Sequence, residues 1–147
     1  MTMKIFGHPV HVMLIHFPSA LLPMDFICSL LGYYTSGPSF VMAAFYALIG
    51  GVGMGWLAII TGVFDLAKLA EEKNKAVKKA LVHAGVNLVV LTGFSLLAYM
   101  AWQQYPHLET DTPGELIIKG ILIAVMIVGN FIGGSLVLKD RVGSINN

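Results

Sequence analysis

The stretch Gly7-His8-Pro9-Val10-His11-Val12-Met13-Leu14-Ile15-His16-Phe17-Pro18 puts three of the chain's five histidines within nine residues, at the mouth of an apolar run that lasts to Tyr34. Crossing a bilayer takes about 20 residues of apolar helix, and this run exceeds that. Ionisable groups inside such a run are expensive, so by default they mark a functional site or a buried polar network. Imidazole is neutral near physiological pH and is the commonest protein ligand for iron, copper and zinc.

Outward from this stretch, three further runs have the same character. The four spans cover about 9–34, 40–66, 80–103 and 116–138. Of 147 residues, 56% are hydrophobic and only 12% charged, with a mean hydropathy of +0.78. A soluble domain carries about a quarter charged residues. In hydrocarbon every backbone polar group must bond internally, so the spans are helices. The expected fold class is all-α: an integral membrane four-helix bundle, one domain over residues 1–147. No A-x-A-like site ends the first run, and Pro18, Pro23 and Asp25 interrupt it, so it reads as an uncleaved span rather than a signal peptide. The two prolines each remove a helix hydrogen bond and predict a kink. Gly51-x-x-x-Gly55 and Gly129-x-x-x-Gly133 permit close helix approach. No internal repeat is evident. A net charge of +1 offers no electrostatic footprint for nucleic acid. The lone Cys28 cannot form an internal disulfide and leaves the redox compartment unread.

Basic residues favour the cytoplasmic side of a membrane. Lys4, the lysines at 68, 73, 75, 78 and 79, Lys139 and Arg141 all fall on one side. The other side has Lys119 near its edge, beside Glu109, Asp111 and Glu115. Both termini are therefore expected in the cytoplasm, with the chain in a bacterial inner membrane. Tyr33, Tyr34, Trp102 and Tyr105 fall at the opposite edge, where amphipathic rings prefer to sit.

The pattern Gly7-His8-Pro9-x-His11-x-x-Leu14-x-His16-Phe17-Pro18-x-Ala20-Leu21 resembles the opening of a bacterial family of predicted membrane proteins, domain of unknown function 2231. Thr61-Gly62-x-x-Asp65-Leu66 and His83 are similar to its pattern as well. The resemblance covers most of the chain and implies a four-span fold in which these positions matter. Some members are joined to iron–sulfur domains, which implies a link to redox chemistry. The family name itself carries no activity.

On this topology His8, His11, His16, Asp65 and His83 gather on the cytoplasmic side. A six-coordinate haem b takes one imidazole from each of two helices across a flat macrocycle. His16 with His83 fits by depth, and His11 with His83 is the second choice. Gly85, Gly62 and the glycines around Gly53 would open the slot. Asn87, one turn after His83, would support a ligand or a propionate. Asp65 would accept the other ring N–H of a histidine and fix its tautomer. His8 and His11, at i and i+3, alternatively share a helix face and would chelate copper, zinc or iron for sensing or transport. Without any cofactor, the same histidines would hydrogen-bond to Asp65, Asn87 or carbonyls freed before Pro18, in a structural or assembly subunit. His107 reads as a surface residue. Asp25 is either protonated or paired with Lys119 across the bundle, with a proton-relay role left open. No G-x-S-x-G, H-E-x-x-H, Walker or Rossmann glycine motif is present, so a self-contained enzyme is not expected. The expected function is electron transfer by a haem b protein. Its expected partners are the lipid bilayer and a quinone or redox protein, with a homo-oligomer left open.

Overall fold

The computed structural model describes residues 4–5, 8–71 and 75–139, with side chains over 10–71 and 75–139. Gly7, Glu72, Lys73, Asp140 and Arg141, used above in the motif and the charge pattern, lie outside the described residues, as do the side chains of Lys4 and His8. A two-residue antiparallel pairing joins β1 (Lys4–Ile5) to β2 (His8–Pro9). The rest is helical: α1 (Val10–Leu14), α2 (His16–Thr35), α3 (Pro38–Glu71), α4 (Val77–Gln104) and α5 (Pro113–Leu138). Four stretches, Val10–Thr35, Pro38–Glu71, Val77–Gln104 and Pro113–Leu138, are long and apolar enough to cross a membrane. The all-α four-span bundle expected from composition is the fold found.

The first span is interrupted at Ile15 for a local reason. Pro18 has no N–H to give the carbonyl of Leu14, so one rung of the ladder is missing. Rungs on either side persist, from Ile15 N–H to the His11 carbonyl at 3.1 Å and from Ser19 N–H to the Ile15 carbonyl at 3.2 Å. Pro23 lies inside α2, which stays one helix. It ends where Ser36 takes the left-handed conformation, φ 53°, and its N–H returns to the Gly32 carbonyl at 2.8 Å. Both α3 and α5 begin on a proline, whose fixed φ suits a first turn and whose missing N–H costs nothing there. At α5 Thr112 adds a capping box. Its hydroxyl accepts from the Glu115 N–H at 3.3 Å, and the Glu115 carboxylate accepts from the Thr112 N–H at 2.7 Å.

Helicity outlasts apolarity. The second helix runs five residues past Leu66, to Glu71, and the third starts at Val77 rather than at Ala80. Lysine, glutamate and alanine are good helix formers, so leaving the hydrocarbon does not end the helix. At 34 residues, α3 is about 50 Å long, well beyond a hydrocarbon core of about 30 Å.

The helices pack in the cyclic order α2, α3, α4, α5. The α2–α3 seam is the most intimate and the α5–α2 seam the loosest, while α1 lies against α3. Midway along the bundle, Leu22, Leu48, Val90, Phe94, Leu97, Ala98 and Met126 form a buried layer. A second, smaller layer of Leu69, Ala76 and Leu136 closes the end that carries Lys68, Lys75, Lys78, Lys79 and Lys139, called the basic end below. Close approach at the glycines is real: a Cβ on Gly51 would meet Leu22 at 2.7 Å, and one on Gly55 would meet Leu91 at 2.7 Å. At the opposite end Phe45, Trp102 and Tyr105 stack on one another, and Tyr34 stands exposed.

Candidate functional site

Between the two buried layers lies a cavity of about 370 Å³. Sites for small molecules and cofactors occupy about 300–1,000 Å³. Its wall is largely apolar, and into it the fold brings His11, His16, Asp65, His83 and Asn87, which come from four different helical segments. Five of the six positions expected to serve a cofactor are thus neighbours of one space. The sixth, His8, lies in β2 ahead of the helix, so it does not share a helix face with His11 at i and i+3.

Two of the histidines are held in the same way. The Nδ1 of His11 lies 2.8 Å from the carbonyl oxygen of Ala58 on α3. The Nδ1 of His83 lies 2.8 Å from the carbonyl oxygen of Gly129 on α5. A carbonyl oxygen only accepts, so each Nδ1 carries the proton and donates it. In the neutral ring Nε2 is then the nitrogen with the free lone pair, the one able to bind a metal. A helix carbonyl points along the axis toward residue i+4, and in both cases that residue is a glycine. A Cβ on Gly62 would stand 2.9 Å from the His11 ring, and a Cβ on Gly133 would stand 2.5 Å from that of His83. Only glycine leaves room for a ring to reach a carbonyl already used by the helix.

The tautomer-fixing role expected of Asp65 thus falls, for these two rings, to main-chain carbonyls; Asp65 lines the cavity beside them. Asn87, one turn after His83, donates from its Nδ2 to the His83 main-chain carbonyl at 2.8 Å; its 3.2 Å approach to Nδ1 is no hydrogen bond once Nδ1 carries the proton, so it neighbours the ring without holding it. Of the glycines expected to open a slot, Gly62 lines the cavity, as does Gly55 among those around Gly53. Gly85 and Gly53 face open space and do not line the cavity. Gly129 and Gly133, read only as packing residues, turn out to seat Asn87 and His83. His16 lines the cavity too, but it is exposed. Close by, Asn130 on α5 donates to the Ser19 hydroxyl at 3.1 Å, and that hydroxyl donates to the Ile15 carbonyl at 2.7 Å. Nothing in the sequence alone singled out this pair, because serine and asparagine are common in spans and their partnership needs the packing.

A separate polar cluster sits beyond the central layer, at the far end of the bundle. Lys119, 3% exposed, lies 2.7 Å from Asp25, which is fully buried, and it donates to Ser29 at 2.8 Å. Asp111 of the α4–α5 loop adds an ion-pair contact at 2.6 Å. Of the two readings left open for Asp25, protonated or paired with Lys119, the contact with Lys119 is present. Leu22, Leu48 and Phe94, all essentially inaccessible, belong to the layer that separates this cluster from the histidine cavity. The two sites are therefore independent.

No curated protein and no solved structure matches the chain. Its residues 7–146, nearly the whole length and all of the described cavity lining, match a family model, and the chain belongs to that family, described as predicted membrane protein, domain of unknown function 2231.

Proposed function

We propose that the protein is a membrane haem b protein that carries electrons at the basic end of the bundle, which faces the cytoplasm of a bacterial cell. The observation that carries this reading is the matched anchoring of His11 and His83. A ligand imidazole needs a fixed tautomer and a fixed ring, and an Nδ1–H donated to a main-chain carbonyl supplies both. Two such rings enter one apolar, cofactor-sized space from different helices. Among the described residues no three His, Cys, Asp or Glu side chains gather as a site for a bare metal ion. A porphyrin brings four iron ligands of its own and asks the protein for two, which is the number of anchored imidazoles here.

Depth along the first span favours His16 as the ligand opposite His83, but anchoring favours His11. We assign the two iron-binding imidazoles to His11 and His83. When bound, the haem would supply a one-electron couple, and the apolar wall would shield it from water and set its potential with the axial pair. Electrons would pass to or from a quinone or a redox protein. The visible spectrum of the purified protein, oxidised and dithionite-reduced, tests this. A haem b spectrum that follows the protein through purification is expected. A preparation supplied with haem that binds none overturns it.

A further inference from the structure

The cluster of Asp25, Ser29, Asp111 and Lys119, opposite the basic end, borders a second and smaller space. It measures about 30 Å³ and is lined by those four residues, by Glu109 and Thr110, and by apolar residues of α3. One water needs roughly 10–15 Å³ of such room, so a single body of about that size fits. The donors of the cluster are already committed. Lys119 donates to Asp25 Oδ1 at 2.7 Å and to the Ser29 hydroxyl at 2.8 Å, and Asp111 Oδ2 lies 2.6 Å from the ammonium. A lysine has three N–H groups, and three oxygens surround this one. Ser29 spends its one proton on the same Oδ1 of Asp25, at 3.3 Å. The other oxygen of Asp25, Oδ2, is inaccessible and takes no hydrogen bond from any described residue. The charges do not close either. Two carboxylates meet one ammonium, which leaves one negative charge in excess beside a fully buried aspartate. An uncompensated buried charge is expensive.

We infer that this space is a binding site for one small monovalent cation, sodium, with Asp25 Oδ2 as its charged ligand. The site stands whether or not haem binds, since the central layer separates the two. A hard cation takes oxygen ligands, and the lining offers the Asp25 carboxylate, the Thr110 hydroxyl and the carboxylates of Glu109 and Asp111. Unlike a transition metal, sodium completes its shell with hydroxyl and water oxygens and does not need three His, Cys, Asp or Glu side chains. One positive charge brings Asp25, Asp111 and Lys119 to neutrality. A divalent ion would overshoot and would face the Lys119 ammonium with twice the repulsion. A water molecule would give Oδ2 its hydrogen bond and leave the excess charge in place. Glu109 and Thr110 are exposed, so the space borders solvent at the α4–α5 loop. Asp25 and Ser29 stand on α2 and Lys119 on α5, so the cluster bridges the α5–α2 seam, the loosest of the bundle. A cation that removes the excess charge strengthens that seam.

The test uses the full chain in lipid nanodiscs, in sodium chloride against choline chloride at constant pH and equal ionic strength, so that screening is the same in both. Quadrupolar broadening of the sodium NMR line reads binding, and the unfolding midpoint reads its linkage to stability. In wild type the broadening should saturate. The midpoint should rise with sodium concentration, because a ligand that binds only the folded state stabilises it. Choline, too large for the space, should not raise the midpoint. Asp25→Asn removes the charged ligand and should lose both sodium responses. Because Asp25→Asn also lowers stability, a second variant keeps every charge. Ala44 lines the space, and the added methyl groups of Ala44→Val enter it, so sodium binding should weaken about tenfold or more. Wild type that behaves alike in sodium and choline overturns the inference, and a water or a proton then satisfies Oδ2. A sodium response that persists undiminished in either variant overturns it as well, and places the ion elsewhere, as on lipid headgroups.

Discussion

His11 and His83 are anchored alike by helices to which neither belongs. Each Nδ1 lies 2.8 Å from a main-chain carbonyl, and the partners lie 47 and 46 residues further along the chain. In each case the glycine four residues beyond the carbonyl, Gly62 or Gly133, makes room for the ring. The hairpin of α4 and α5 thus repeats what the hairpin of the first span and α3 does, and the cavity lies between the two.

The glycines should accordingly be as sensitive as the histidines. Gly133→Ala places a Cβ 2.5 Å from the His83 ring, so the ring must leave the Gly129 carbonyl. Cofactor occupancy or the low-spin signal should be lost in Gly133→Ala and reduced in Gly62→Ala. Gly85→Ala, whose Cβ meets nothing within 4 Å, should keep the spectrum and gain up to about 1 kcal/mol of helix stability. An unaltered spectrum in Gly133→Ala, read by absorbance of the purified variant, would count against the anchoring account.

The cluster at the far end predicts a stability effect without a cofactor effect. Asp25→Asn leaves Lys119 buried with Ser29 and the partly buried Asp111. Leaving a buried charge with no partner costs about 3–5 kcal/mol, and because Asp111 still pairs with Lys119 the cost here falls below that range, while replacing both partners with apolar residues is often neutral. Asp25→Asn should therefore lower the unfolding midpoint in detergent, and Asp25→Leu combined with Lys119→Met should restore most of it. Both variants should keep the spectrum of the wild type, since an apolar layer separates the sites. A double variant as unstable as the single one would show that the pair does more than satisfy itself.

How much of this the sequence disclosed follows from what leaves a mark in it. The spans did, because hydrocarbon demands long uncharged runs; Asp25 stood out as a charge inside one, with pairing to Lys119 one of two readings. His83, Asn87 and Asp65 could be placed at one end of the bundle by topology alone. What stayed hidden were the acceptors of the two histidines. A main-chain carbonyl has no residue identity, so Ala58 and Gly129 carry no signal, and Gly133 reads as an ordinary packing glycine. For the same reason no repeat is visible, since the two halves share a ring, a carbonyl and a glycine spread over about fifty positions. The preference for His16 over His11 came from depth, which says nothing of what a ring is tied to. Helix ends lie a few residues beyond the limits of apolarity because they follow propensity and caps, which hydropathy does not register.

Orientation is open to a simple measurement. The described lysines outside Lys119 sit at one end of the bundle, and four crossings bring the chain back to that end. A reporter active only outside the cytoplasm should be silent when fused after Asn147 and active when placed at Thr110. The reverse pattern would put the histidine cavity on the other face of the membrane.

The most direct test of the account is the visible absorption of haem-loaded protein, oxidised and reduced, for wild type beside His11→Ala, His16→Ala and His83→Ala. A low-spin bis-imidazole spectrum is expected in wild type, with its loss in His11→Ala and in His83→Ala and its retention in His16→Ala. A low-spin spectrum that survives in His11→Ala and vanishes in His16→Ala would contradict the axial assignment, and wild-type protein that takes up no haem would contradict the central claim.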